Sequence, residues 1–304
     1  MTRRQLIPLL AAFAPALASL AQPTDLRGPG YGVDDTFDTV ADVQTQPGEL
    51  ELTMQGQILE GTFATQQHTR IRIHILRIDD GQVTQVNTTI LENTQSTDTV
   101  IREQEQHQEQ GEEMEQTSFI QTLTPQGWQT DVQSEVLPDQ AKDLLREAPY
   151  VDPHGLFPEQ PVEPGYEWQV EGPVLASLMS NSVLPGAAVD GTVTMRFVEI
   201  RVVDGRELAV IEFDLDGTIT TSTSQIGSDI TVQTQMLAAG TLLRDLSTYT
   251  NDITSEGALV MNMSMQQAGV VELEMTAQMP MTTHTAEGPP EDPAEDPTED
   301  PADQ

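Results

Sequence analysis

Between residues 36 and 283 polar and apolar side chains alternate with a period of two, and Gly, Asp or Pro falls where the alternation breaks. Successive side chains of an extended chain point to opposite faces, so this pattern predicts antiparallel strands with one buried and one wet face. Two hairpins stand out. "TRIRIHILRI-DDGQ-VTQVNTTIL" begins at Thr69 and "TVTMRFVEIRV-VDGR-ELAVIEFDL" at Thr192. Each pairs two long alternating segments across an Asp-Gly turn, where Gly81 and Gly205 supply the positive φ of a tight turn. Further hairpins are expected around Gly111, Gly127, Gly257 and Gly269.

Two segments leave the period of two. "LPDQAKDLLREAP" puts Pro138 near a helix start, spaces Ala141, Leu144 and Leu145 on one side, and stops at Pro149. "PVLASLMSNSVLPG", from Pro173, spaces Leu175, Leu178 and Met179 in the same way. The expected fold is mainly β: a large antiparallel curved sheet, half-barrel or sandwich, of two similar halves with two short covering helices. The halves span residues 36–149 and 169–284, joined by a proline-rich connector over 150–168.

One strand-like stretch invites a different chemistry. Ala209 to Ser222 read "AVIEFDLDGTITTS", and an apolar run closing on Asp-x-Asp-Gly-Thr resembles the opening motif of the haloacid-dehalogenase phosphatases. That resemblance would make Asp214 a nucleophile and Asp216 its acid and base, both at the end of a parallel strand buried on both faces. Here Ala209, Ile211, Phe213 and Leu215 alternate with Glu212, Asp214 and Asp216, as in a strand with one wet face. Such an enzyme also needs a later cation to hold phosphate, yet Lys142 is the sole lysine and precedes the motif. The expectation is a non-catalytic protein without a cofactor, and the aspartyl phosphatase is the weakest alternative.

Composition adds export and acidity. "MTRRQLIPLLAAFAPALASLAQP" has basic Arg3 and Arg4, an apolar stretch from Leu6 to Leu20, and small Ser19 and Ala21 ahead of Gln22. This predicts a signal peptide over 1–21, while Pro8 and Pro15 interrupt a stretch already short of the roughly 20 residues a membrane span needs. "TRRQLI" resembles a twin-arginine signal, which leaves the export route open between two pathways. The expected location is periplasmic or extracellular, with residues 22–35 a flexible lead-in and no transmembrane segment in the mature chain. The chain has no cysteine, which excludes disulfides, thiol catalysis and thiolate-held zinc. Asp and Glu number 49 against 13 Lys and Arg, a formal charge of −36 that becomes −38 without Arg3 and Arg4. Such a surface repels phosphate backbones, so no nucleic-acid partner is expected. The close, "TAEGPPEDPAEDPTEDPADQ", repeats Glu-Asp-Pro and predicts a disordered acidic tail over 285–304.

The connector "YVDPHGLFPEQPVEPGYEWQV" carries the pattern Phe157-Pro158-x-x-Pro161-Val162-x-x-Gly165-x-x-Trp168. It resembles the Pro-x-x-Pro-Val-x-x-Gly-x-x-Trp signature of a family of uncharacterised bacterial secreted and lipoprotein-type β proteins, a domain of unknown function. The resemblance implies a β fold and export, but no activity. This chain departs from it in having no lipid-bearing cysteine.

Two clusters could hold a metal. Met261, Met263, Met265, Met279, Met281 and His284 would offer soft thioethers and an imidazole suited to copper, although alternating Met also fills sheet cores. Glu103, Glu105, His107 and Glu109 share one face if the run is a strand and would suit a divalent cation, although such a polar run is more often a solvated hairpin tip or a short exposed helix. His68, His74 and His154 are scattered along the chain. Long strands under covering helices resemble the half-barrel lipoprotein carriers of the periplasm, so the leading functional expectation is a protein that binds a hydrophobic ligand or an envelope partner. A structural or surface protein whose acidic coat is its purpose is the alternative, and metal binding a further one.

Overall fold

The computed structural model describes residues 23–54, 57–102, 104–110, 114–132, 137–147, 150–172, 175, 188–225, 228–267 and 270–290. The expected signal peptide, the proline-rich repeats, Glu103, the turns at Gly111 and Gly269, and nearly all of the second expected helix lie outside them.

Among the described residues thirteen strands form one curved antiparallel sheet. Its first block holds β1 (Thr36–Thr45), β2 (Gly48–Met54), β3 (Gln57–Asp79), β4 (Gln82–Ile101), β5 (Gln104–Gln110), β6 (Thr117–Thr124) and β7 (Gly127–Val132). Its second holds β8 (Glu167–Val170), β9 (Ala188–Val203), β10 (Arg206–Gln225), β11 (Ser228–Asp245), β12 (Asn251–Gln267) and β13 (Val270–Gly288). The order across the sheet is β7-β6-β4-β3-β1-β13-β12-β11-β10-β9-β8, with β2 beside β3 and β13, and β5 beside β4. β1 and β13 pair from Asp38↔Gly288 to Thr45↔Met281, and this seam, with the β2–β13 pairing, joins the blocks.

The Asp-Gly turns take the form expected. Asp80 and Gly81, at φ 52° and 80°, connect β3 to β4, and Asp204 and Gly205, at 52° and 81°, connect β9 to β10. Both residues of each turn are left-handed, the geometry whose twist matches that of the flanking strands. Gly257 is a correction. It lies within β12 opposite Ala238, not in a hairpin, and a Cβ there would sit 2.0 Å from the Leu237 carbonyl oxygen. Close approach of a neighbouring strand, not a turn, is what requires this glycine. The chain instead turns between β11 and β12 over residues 246–250.

The apolar core covers one face of the sheet. Val193, Met195 and Phe197 of β9, Ala209, Ile211 and Leu215 of β10, and Ala238 and Leu242 of β11 are buried together there. On the first block Ile73, Ile75, Val83 and Val86 form a second cluster. Helix α1 (Asp139–Glu147) covers a third, laying Ala141 and Leu145 over Ile90 of β4 and Phe119 of β6. Burying an apolar stripe in this way is what stabilises so short a helix.

The segment expected as a flexible lead-in is packed. Thr24 bridges Val162 in both directions, at 2.7 and 2.9 Å, Leu26 is buried, and Tyr31 stacks on Phe37 at 5.1 Å. The far end shifts as well. β13 continues through Thr285 to Gly288, four residues into the expected disordered tail, because each residue from Met281 to Gly288 still offers a backbone donor and the next prolines come only at Pro289 and Pro290.

Candidate functional site

Where the two blocks face each other across the curve, the inner surface leaves a cavity of about 400 Å³. Its walls are mostly aliphatic and aromatic. Ile71, Ile90 and Phe119 come from the first block, and Met195, Phe213 and Ile253 from the second. Leu145 of α1 reaches it from one side, and Tyr150, Pro153 and Leu156 of the connector from another. That volume lies in the usual range for small-molecule sites, which runs from about 300 to 1,000 Å³.

The connector is held against the sheet by specific bonds. Asp152 caps a 3₁₀ turn, Pro153–Leu156, by accepting from the backbone N–H of His154 at 2.9 Å, and its carboxylate also meets His154 Nδ1 at 3.1 Å. Burial pushes the Asp152 carboxyl up, but these bonds with His154 outweigh it and hold the group below its usual range. Gly165, at φ 93°, turns the chain so that its N–H donates to Phe197 at 2.6 Å, and Phe197 returns a bond to Tyr166 at 3.0 Å. Trp168 then enters β8, and its indole N–H donates back to the Leu156 carbonyl at 2.8 Å. The motif residues Phe157 and Val162 are buried in the same core cluster.

One end of the cavity is polar. Glu287 and Asn251 both line it, and the Asn251 amide donates to the Glu287 carboxylate at 2.6 Å. The same Asn251 accepts from Arg244 at 2.8 Å. Arg244 is almost fully buried, with a residue exposure of 1 %. Its guanidinium donates to the carbonyls of Leu26, Arg27 and Tyr249, and it lies 4.0 Å over the Phe157 ring. Burial lowers its pKa to about 10, with Glu287 the first of the groups opposing that shift, so it stays charged at neutral pH. Burial likewise raises the Glu287 carboxyl, and Arg244 and Asn251 offset only part of the rise. Tyr150 closes this end: its ring packs edge-on against Trp128 at 5.1 Å, and burial, then Asp152 and Glu287, raise its hydroxyl pKa. The Tyr150 hydroxyl is buried and has no hydrogen-bond partner among the described residues.

The residues considered for metals are placed as follows. Met279 and Met281 are buried in the core, and Met261 packs on the Leu50–Ala277–Met279 cluster. Met263 and Met265 continue β12 opposite Met275 and Leu273. His284 does not join them; its Nε2 lies 3.1 Å from Asp252 on an exposed position. Glu105, His107 and Glu109 do share β5, but His107 is already held by carboxylates on both nitrogens, Asp98 at 2.6 Å and Glu109 at 3.1 Å. Among the described residues no group of three or more His, Asp or Glu is arranged to hold a metal ion.

Asp214 and Asp216 lie in the middle of β10, exposed, with antiparallel neighbours on both sides and the strand running on to Gln225. Ala209, Ile211 and Leu215 are buried on the opposite face. This is the environment of a two-faced antiparallel strand and differs from the end of a buried parallel one.

A row that no local pattern announces crosses the outer face. His68 sits between Asp42 at 2.7 Å and Glu92 at 3.0 Å, and His284 between Asp252 at 3.1 Å and Asp42 at 4.0 Å. The five residues come from five adjacent strands, so only the register aligns them. Among the described residues no helix is long and apolar enough to cross a membrane. Comparison with known proteins finds no family model and no curated protein that matches the chain.

Proposed function

We propose that this protein is an exported, non-catalytic binder that carries a hydrophobic molecule in the cavity of its curved sheet. The observation that carries the reading is the apolar cavity between the two blocks, roofed by α1 and the connector. Burying a ligand's apolar surface there contributes roughly 25 cal/mol per Å² removed from water. Export rests on the Arg3–Arg4, apolar, small-residue pattern of residues 1–21. The non-catalytic part is supported by the exposed, mid-strand positions of Asp214 and Asp216. The resemblance of the connector motif to secreted β proteins of unknown function agrees with export.

Native mass spectrometry of the protein purified without detergent from its own cells tests the reading. A bound apolar species that dissociates on collisional activation is the expected result. A ligand-free chain that also leaves an apolar fluorescent dye unbound would instead favour a surface protein whose acidic coat is its purpose.

A further inference from the structure

The cavity's polar end is chemically selective, and resting on the hydrophobic-ligand reading above, we infer that its occupant is an apolar molecule bearing an uncharged hydroxyl, held between Tyr150 and Glu287. The first observation is the Tyr150 hydroxyl. It is buried in the cavity wall without a protein partner among the described residues, and leaving such a group unpaired costs about 1–3 kcal/mol. A bound molecule that supplies the partner recovers that cost. The second is the sign of the surroundings. Among the described lining residues none is Lys, Arg or His, and Glu287 is the one Asp or Glu. The nearby buried cation, Arg244, is turned away: its guanidinium is engaged by Leu26, Arg27, Tyr249 and Asn251. A carboxylate or phosphate head would therefore meet Glu287 with no cation to pair with. An ammonium head would disturb a charge balance that Arg244, Asn251 and Glu287 already close among themselves. A hydroxyl accepts from the Tyr150 O–H and donates to the Glu287 carboxyl, and so satisfies both groups without adding charge.

Displacement of N-phenylnaphthylamine from the full chain by dodecanol, dodecylamine or dodecanoic acid tests this. Dodecanol should displace the dye at a concentration about tenfold below that of either charged analogue, as expected for one or two buried hydrogen bonds. In Tyr150→Phe, which keeps the ring and removes the hydroxyl, the alcohol's advantage should disappear when each displacement is referred to that variant's own affinity for the dye. Equal or better displacement by the acid or the amine, or an advantage that survives Tyr150→Phe, overturns the assignment of the head while leaving a hydrophobic cavity. Failure of the wild-type chain to bind the dye overturns the hydrophobic-ligand reading and this inference with it.

Discussion

The indole N–H of Trp168 donates to the carbonyl of Leu156 at 2.8 Å, tying the strand that ends the connector to the 3₁₀ turn that begins it. The thirteen residues from Leu156 to Trp168 are thereby closed into a loop whose inner side chains, Leu156, Phe157 and Val162, are buried. Leu156 also forms part of the cavity wall, so the bond links core packing to the proposed site.

Trp168→Ala removes both the bond and the partly buried ring, and is expected to cost about 2–4 kcal/mol, below the full cost of a wholly buried tryptophan. Trp168→Phe isolates the hydrogen bond at about 1 kcal/mol. Urea unfolding of the two variants measures both, and a Phe variant as unstable as the Ala variant would show that the bond, and not the ring, holds the loop.

Arg244 presents a sharper test, because its removal strands the carbonyls of Leu26, Arg27 and Tyr249. Arg244→Met is expected to destabilise by about 3–5 kcal/mol, the range for breaking a buried charged network from one side. Residues 23–31 should become susceptible to limited proteolysis in the same variant. Wild-type resistance of that segment would mean that the Thr24–Val162 bridge alone retains it.

Two ion-pair sites titrate in opposite senses. Burial pushes Asp38 up, but hydrogen bonds from Arg72 and then Arg70 hold it below the usual carboxylate range. Its folded pKa is thus below its unfolded value of about 3.9, so its contribution is present above that pH and is lost as pH falls through the folded pKa. His68 is raised, first by its bond to Asp42, against the lowering effect of burial and with help from Glu92. Its contribution is complete below about pH 6.5 and is lost as pH rises through the raised pKa. Melting temperatures should therefore separate Asp38→Asn from wild type at pH 7 and converge near pH 2. His68→Gln should differ most near pH 5 and converge near pH 9, and a gap constant across both ranges would rule out the charge state as its source.

Gly257→Ala places a methyl group 2.0 Å from the Leu237 carbonyl oxygen, whereas at Gly288 a methyl group would meet nothing within 4 Å. The first substitution is expected to cost about 1–3 kcal/mol, as for other overpacked sites, and the second close to nothing. Denaturant midpoints compare them, and similar values would mean that β11 and β12 part easily at this point.

The strands and both Asp-Gly turns were legible because they depend on neighbours in sequence: the period of two around Ile71–Ile75 and Ala209–Leu215, and residues able to adopt positive φ. Helix α1 was legible for the same reason, through the spacing of Ala141 and Leu145. The cavity was not, because Phe119, Met195 and Glu287 meet only once the sheet has curved and closed its seam. Glu287 in particular reads as one more acid at the head of an acidic tail, and only its register opposite Thr39 of β1 brings it to the inner face. Gly257 reads as a turn because a glycine's two uses, positive φ and close approach, leave the same letter. The His68–Asp42–His284 row is invisible for a related reason: its members lie up to 242 residues apart, from Asp42 to His284, and only cross-strand register aligns them.

The seam between β1 and β13 also governs how the molecule is made. Nearly every other pairing in the sheet joins strands close in sequence, β9 to β10, β10 to β11, β3 to β4, and each such hairpin can form within microseconds. The seam joins Asp38 to Gly288 and must wait until both blocks have largely assembled, which places this protein among slow, high-contact-order folders. Until then each block presents an unpaired strand, β1 on one side and β12 or β13 on the other, whose exposed backbone is free to pair with the same edge of another copy. Closing the seam is therefore the step at which folding and aggregation compete, and the concentration of unfolded chain sets the outcome.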